Sequence, residues 1–287
     1  MNKTLFAFVT FGNSEFSKIC VDSVRQTTES KLDFFTILGK PQDLKSMDWL
    51  SQEPDISYKV HPVNRGFPAS LNDIFDYAWK ENDYEYVIIA GNDTAVYPHC
   101  IDSMIRLADE TDYECINALQ YDVRDLTSAY PETREYFRGD KKLFSAFDKK
   151  PWEVFKEYSP ECNITDMLLS DIQNMCLYKK SVFEKIGYTD VNFFPAYFVD
   201  NDYAKRMAEF PIKNCTLGNA RFFHFWSRVL HQGTGGSTNR YFENNEQYYR
   251  EKWGGSVNSE TADPKPLLYI GSRDNEKQII DYWRDKR

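Results

Sequence analysis

Through the first 120 residues of this chain, short β-branched and aromatic runs alternate with longer stretches of helical periodicity. That alternation restricts the fold more than any other feature. The runs from Leu5 to Thr10, Asp33 to Leu38, Ile56 to Val60, Tyr86 to Ala90 and Cys115 to Leu119 read as strands. Helical patterns lie between them, from Glu15 to Thr27, Pro68 to Glu81 and Pro98 to Asp109. Pro68 and Pro98 each fall where a first helical turn accepts proline. Strand–helix alternation of this kind predicts an α/β fold, an open and mainly parallel sheet covered by helices. Ligands of such sheets bind at the carboxyl ends of the strands, so the residues just after each strand carry the functional question.

From Gln120 to about Asp171 the pattern loosens into polar and aromatic material, including Trp152, and reads as an insertion over the sheet edge. Regularity returns at Ile172 to Tyr178, followed by a helix from Ser181 to Ile186 that Gly187 closes. A further helix begins near Asn201 and ends before Pro211, and Ala220 to Phe225 is a strand. Thr238 to Trp253 is helical, Gly254-Gly255 stops it, and Asn275 to Lys286 forms a last helix. We divide the chain into residues 1–120, residues 121–255 and a C-terminal extension, 256–287.

Composition removes several classes of function. A net charge of −9 gives no broad electrostatic footprint for polyanions. The six cysteines are scattered with no C-x-x-C spacing, so neither a zinc site nor a redox dithiol is indicated. No segment approaches the roughly 18 apolar residues of a membrane helix. The apolar stretch Leu5 to Thr10 is too short for a signal peptide. The expected location is the cytoplasm.

Four places could carry chemistry. Gly91-Asn92-Asp93-Thr94 follows the strand ending at Ala90, which puts Asp93 at the ligand-binding edge, where one carboxylate can share a hard divalent cation with phosphate oxygens. The same tetrapeptide is also an ordinary turn. Asn64-Arg65-Gly66-Phe67-Pro68-Ala69-Ser70-Leu71-Asn72 joins a strand to a helix, combining a glycine with a helix N-terminus that favours phosphate, or forming a plain helix entry. Asp200 and Asp202 open a helix, where capping and the helix dipole are the ordinary explanation for acidic residues; the pair could also be the metal site itself, in place of Asp93. His224 closes an aromatic strand, with His231 as the reserve for any role it has.

The order of these signals says more than each alone. Asn-Arg-Gly-Phe, then Asn-Asp, then Asp-x-Asp, then His, then Asn244-Asn245 and Tyr248 to Gly255 resembles family-2-like glycosyltransferases of the GT-A fold. The resemblance runs from Leu5 to Gly255. It is most specific in LYKKSVFEKIGYTDVNFFPAYFVDNDYAKRM, from Leu177 to Met207, while NRGFPASLN resembles the segment lining the family's donor site.

The resemblance implies a Rossmann-like GT-A domain, with 1–120 as the nucleotide-sugar half and 121–255 as the acceptor and catalytic half. It implies that Asp93 binds Mn²⁺ or Mg²⁺, that His224 completes the metal site and that Asp200 is the catalytic base. Thr10, Phe11, Asn13, Asn64, Gly66, Phe67, Asn72, Asn92 and Asp93 correspond to the donor site, and Asp202, Trp152 and Trp226 to the acceptor side. Two departures stand out: Val199 replaces a glutamate before the base, and Gly39-Lys40-Pro41-Gln42-Asp43 replaces a common uracil-reading Asp-Asn-Gly-Ser. The implied activity is inverting transfer from a nucleotide-sugar, a UDP-sugar first, to a hydroxyl of a glycan or other acceptor.

Two alternatives stand beside it. The chain also looks like bacteriophage glycosyltransferases, some of which modify hydroxymethylated DNA bases; its location would then be the host cytoplasm. Lys141-Lys142, Lys149-Lys150 and Lys179-Lys180 are the residues that would meet DNA phosphates, and solvated surface lysines are the ordinary explanation for them. The alternative of another class is a GT-A sugar-binding module without turnover. A Rossmann dehydrogenase is excluded, because no Gly-x-Gly-x-x-Gly follows a strand.

Overall fold

The computed structural model describes residues 3–121, 164–165, 174–225, 238–261 and 273–285. Among them, nine strands form one sheet. The strands are β1 (Thr4–Thr10), β2 (Leu32–Leu38), β3 (Ile56–Val60), β4 (Tyr86–Ala90), β5 (Thr94–Val96), β6 (Cys115–Tyr121), β7 (Ile164–Thr165), β8 (Met175–Lys179) and β9 (Asn214–His224). Their order is β3-β2-β1-β4-β8-β6-β9-β5, with β7 paired to β9. The first four strands are parallel, β8 runs antiparallel between β4 and β6, and β6 is parallel to β9. The chain builds the α/β sheet expected from the alternation, parallel from β3 to β4 and mixed beyond, where β5 and β7 also pair antiparallel with β9.

The helices are α1 (Ser14–Thr27), α2 (Leu44–Ser51), α3 (Gly66–Trp79), α4 (Cys100–Glu110), α5 (Lys180–Ile186), α6 (Val199–Glu209), α7 (Thr238–Trp253) and α8 (Glu276–Asp285). Strand periodicity sorts side chains between the two faces. Phe6, Phe8 and Ile88 join Val21, Val24, Trp49, Leu50, Ile101 and Met104 on the face covered by α1, α2 and α4. Leu5, Ala7, Val87 and Ile89 join Ile74, Phe75, Val182, Tyr203 and Met207 on the face covered by α3, α5 and α6. Each fully buried Leu, Ile or Phe here contributes on the order of 1.5–3 kcal/mol. A rigid sheet is therefore available to hold whatever its edge carries.

Helix α2 and the early start of β9 are among the departures from the expected elements. Helix α2 follows Asp43, whose carboxylate accepts from Ser46 N at 3.2 Å and Ser46 Oγ at 2.6 Å as an N-cap. Strand β9 begins at Asn214, six residues before the expected start, because its pairing with β6 slips where Ala118 opposes Leu217 and Leu119 opposes Arg221. The intervening Gly218-Asn219-Ala220 bulges out of register, and the sequence there loses its alternation.

Helix α8 packs against α3 and the segment around Val191. Ile280 packs with Ala69, Val191 and Phe194. Arg273, just before the helix, donates to Asp73 and Asp76 of α3 at 2.7 and 2.6 Å, and Glu276 pairs with Arg65.

Candidate active site

The carboxyl end of β4 is built for close approach. Gly91 N donates to Asn174 O at 2.8 Å, which ties the exit of β4 to the entrance of antiparallel β8. A side chain on Gly91 would meet Thr94 at 3.2 Å and the Asp93 carboxylate at 3.3 Å. Asn92 turns inward, 3% exposed, and donates to Asn13 Oδ1 and Ser17 Oγ at 3.1 Å each. Asn92 and Asn13 therefore clamp the exits of β1 and β4 together. Thr10 is likewise internal, its hydroxyl 3.0 Å from Ser17 Oγ and 3.3 Å from Thr36 Oγ1.

Asp93 and His224, 131 positions apart, meet at this edge: Asp93 Oδ1 lies 3.2 Å from His224 Nε2. The meeting follows from the sheet, since β5 leaves Asp93 and pairs Thr94 with His224. The other ring nitrogen, Nδ1, lies 3.2 Å from Gln120 Oε1, and Asn174 Nδ2 donates to that same oxygen at 3.2 Å. Among the described residues no three His, Cys, Asp or Glu side chains converge as a complete metal cage. One carboxylate facing one imidazole nevertheless fits a divalent ion that draws its remaining ligands from diphosphate and water. Two neighbouring ligands of an octahedral ion at about 2.1 Å stand roughly 3 Å apart, close to the observed spacing. Thiolates take no part: the five described cysteines are buried, and burial pushes the Cys20 thiol beside Thr94 up to about 12.

The Asn64–Asn72 segment reaches the same edge from β3. Asn64 Oδ1 accepts from Gly66 N at 2.9 Å, and Gly66 takes the left-handed φ of +78°. A Cβ at Gly66 would lie 2.8 Å from the Phe194 ring and 3.1 Å from Pro195 O, while Phe67 N donates to Pro195 O at 2.6 Å. The turn thus fits under the loop that leads into α6. Asn72 faces inward instead, fully buried, with Oδ1 accepting from Thr189 N and Oγ1 at 2.8 Å. Its amide fastens the 187–190 turn and is not presented to a ligand. Phe11, half-buried, lies beside Gly12, whose N–H donates to Asp43 Oδ2 at 3.0 Å.

Asp200 stands in the first turn of α6, half-buried. The loop before it is strained, because Tyr197 and Phe198 both adopt left-handed backbone, with φ of +71° and +62°. Non-glycine residues held so cost roughly 1–2 kcal/mol each. Helix α7 supplies the restraint. Asn245 donates to the carbonyls of Phe193, Ala196 and Tyr197, and Phe242 packs against Tyr197 and Phe198 with centroids 5.4 and 5.0 Å away. This loop rests on Gly66 and Phe67 just past β3, so the turn before Asp200 lies at the carboxyl end of that strand.

Asp202 does not share that setting. Expected on the acceptor side, it is fully enclosed, with Lys252 Nζ at 2.6 Å, Trp253 Nε1 at 2.9 Å and Arg206 Nε at 3.1 Å. Two residues along a helix turn the side-chain direction by about 200°, so Asp202 points into the α6–α7 interface, away from the direction of Asp200. Trp152, Trp226, His231 and the Lys141-Lys142 and Lys149-Lys150 pairs lie outside the described residues. Lys179 and Lys180 sit at the opposite edge of the sheet. Lys179 pairs with Tyr86 at the start of β4 and donates to Ala108 O and Thr111 O, and Lys180 faces Asp83. Gln120, Asn174 and Asp43 had no signal as site residues in the sequence; only Asp43 carried a local one, the Asp-x-x-Ser start of a helix.

A family model described as glycosyl transferase family 2 matches residues 15–187, more than half of the chain. The chain belongs to glycosyl transferase family 2. A galactofuranosyl glycosyltransferase of Leishmania donovani is 24% identical over 206 residues. Those residues are 66% of this chain and 47% of the relative, so the family 2 chain matches about half the length of that protein. Among solved structures, the mannosyltransferase PcManGT from Pyrobaculum calidifontis in complex with GDP-Man and Mn²⁺ superposes with a TM-score of 0.58 at 12% identity, over 99% of this chain and 73% of that one. TarS 1–349 from S. aureus in complex with UDP gives 0.54 at 11% identity, over 90% and 73%. These likenesses establish the GT-A fold for the family 2 chain. Among its described residues, no helix is long and apolar enough to cross a membrane.

Proposed function

We propose that this chain transfers a sugar from a nucleoside diphosphate sugar to an acceptor hydroxyl, with Mn²⁺ or Mg²⁺, in a single inverting displacement. The observation that carries the reading is the Asp93–His224 pair at the exit of β4, on the same edge as the strained loop that presents Asp200. Asp93 and His224 would hold the ion, which when bound would neutralise charge on the departing diphosphate. Phe11, Asn64, Gly66 and Phe67 line the donor side of this edge, with Thr10, Asn13 and Asn92 bracing it from beneath. Asp200 takes the proton of the acceptor hydroxyl as its oxygen bonds to the anomeric carbon and the bond to the diphosphate oxygen breaks on the opposite face. Positioned bases of this kind contribute about 10²–10⁴-fold.

The proposed donors are UDP-sugars first and GDP-sugars second. The former agree with the UDP complex of TarS and the latter with the GDP-Man complex of PcManGT. The proposed acceptor is a glycan or similar hydroxyl. Of the lysine pairs that would meet DNA phosphates, Lys179-Lys180 belongs to the far edge. The test is a thermal-shift panel of nucleotide sugars with Mn²⁺, Mg²⁺ or chelator, because a ligand that binds only the folded state raises the midpoint by mass action. Donor binding that is unchanged by chelator would remove the metal from the reading. Product with retained anomeric configuration would remove the displacement. Donor that binds but is never cleaved, even by water, would leave a sugar-binding module.

A further inference from the structure

We infer that Gln120 is a positioning residue for the Asp93–His224 pair, fixing the imidazole so that the lone pair of Nε2 faces the cation. The inference rests on the metal-dependent reading above. Gln120 lies near the end of β6, where it pairs with Phe222, two residues before His224 on β9. Its Oε1 accepts from Asn174 Nδ2 and faces His224 Nδ1, each at 3.2 Å. A carbonyl oxygen cannot donate, so the network assigns the proton of a neutral His224 to Nδ1. Nε2 is then an acceptor, and it stands 3.2 Å from the carboxylate oxygen of Asp93. Two acceptors held that close to one another are favoured by positive charge between them, which a divalent ion would supply. Metal-bound imidazoles ordinarily pass their second N–H to such an oxygen, which fixes both the tautomer and the ring orientation.

Asn174 completes the device. Its amide orients Gln120 Oε1 toward the ring, while its backbone carbonyl accepts from Gly91 N at 2.8 Å, two residues before Asp93. Both partners of the pair are thus set from one point at the entrance of β8. A leucine at position 120 would keep the volume and lose the acceptor; a glutamate would keep the acceptor.

The experiment is a Mn²⁺ titration of the full chain followed by the loss of the free-ion EPR signal, with thermal midpoints as the folding control. Gln120→Leu is expected to weaken Mn²⁺ about 10–100-fold, the usual loss when such a partner is removed. Gln120→Glu should restore binding and Asp93→Asn should abolish it. If Asp93→Asn binds Mn²⁺ as the parent does, or the parent binds none, the metal reading falls and the inference with it. If Asp93→Asn fails to bind while Gln120→Leu binds normally, only the role of Gln120 falls.

Discussion

Trp253 donates its indole N–H to Asp202 Oδ1 over 2.9 Å, joining the end of α7 to the first turn of α6. Lys252 reaches the same oxygen and also Asp190, so the two carboxylates share one buried cation. The link separates two aspartates that the chain places two residues apart.

Replacing Asp202 with Ala takes the buried counter-charge from Arg206 and leaves Lys252 with Asp190 alone. The expected cost is about 3–5 kcal/mol of stability, read from urea midpoints. Asp200→Asn should behave in the opposite way, keeping a midpoint close to the parent while turnover falls about 10²–10⁴-fold. Equal stability losses for the two variants would contradict this division.

Gly66 and Gly12 have similar backbones, with φ of +78° and +81°, yet their neighbours differ. An added Cβ costs about 1–2 kcal/mol at either site from the left-handed backbone alone. At Gly12 the obstacle is the Lys40 stem at 2.7 Å, which can swing into solvent. At Gly66 it is the Phe194 ring at 2.8 Å and the Pro195 carbonyl at 3.1 Å, neither of which can. Gly66→Ala should therefore lose clearly more stability than Gly12→Ala, and it should lower turnover by moving the loop before Asp200.

Removing the Asn245 amide should loosen that loop. Asn245→Ala strands carbonyls now satisfied by the amide, at about 1–3 kcal/mol, and frees the left-handed pair Tyr197 and Phe198. Hydrogen exchange should quicken around residues 194–200 and kcat should fall. Unchanged protection there would show that the rings of Phe242 and Tyr249 suffice.

Acid should weaken the fold through Asp73. Burial works against its charged form, but His61 at 2.6 Å, Arg65 and Arg273 outweigh burial and hold its pKa below the ordinary carboxylate value. A depressed folded pKa adds stability that is present above the unfolded value of about 3.9 and is lost as pH falls below it. Denaturation midpoints should drop between pH 5 and 3. Asp73→Asn should be weaker at neutral pH and lose less over that interval.

Much of the frame was legible because burial imposes periodicity. Leu5 to Thr10 and Tyr86 to Ala90 are apolar on both faces and became central parallel strands, and β3 ended at Val60 as its pattern did. The meeting of Asp93 with His224 was expected only through the family resemblance. What sequence could not supply was direction. Asn72, Asn92 and Asp202 look like ligand-facing residues in one dimension, and each turns inward to satisfy a buried partner. Gln120 left no trace, because its meaning lies in hydrogen bonds to residues 54 and 104 positions away. The bulge at 218–220 broke the alternation that would have marked the start of β9.

The ion pairs that α8 makes with α3 also bear on the order in which the chain matures. Asp73 and Arg65 are synthesised some two hundred residues before Arg273 and Glu276, their later counter-ions. A nascent polypeptide that has already collapsed around α3 holds those charges only partly neutralised until α8 arrives. Arg65 directly precedes the turn at Gly66, so the surroundings of that turn are completed by a counter-ion made some two hundred residues further along.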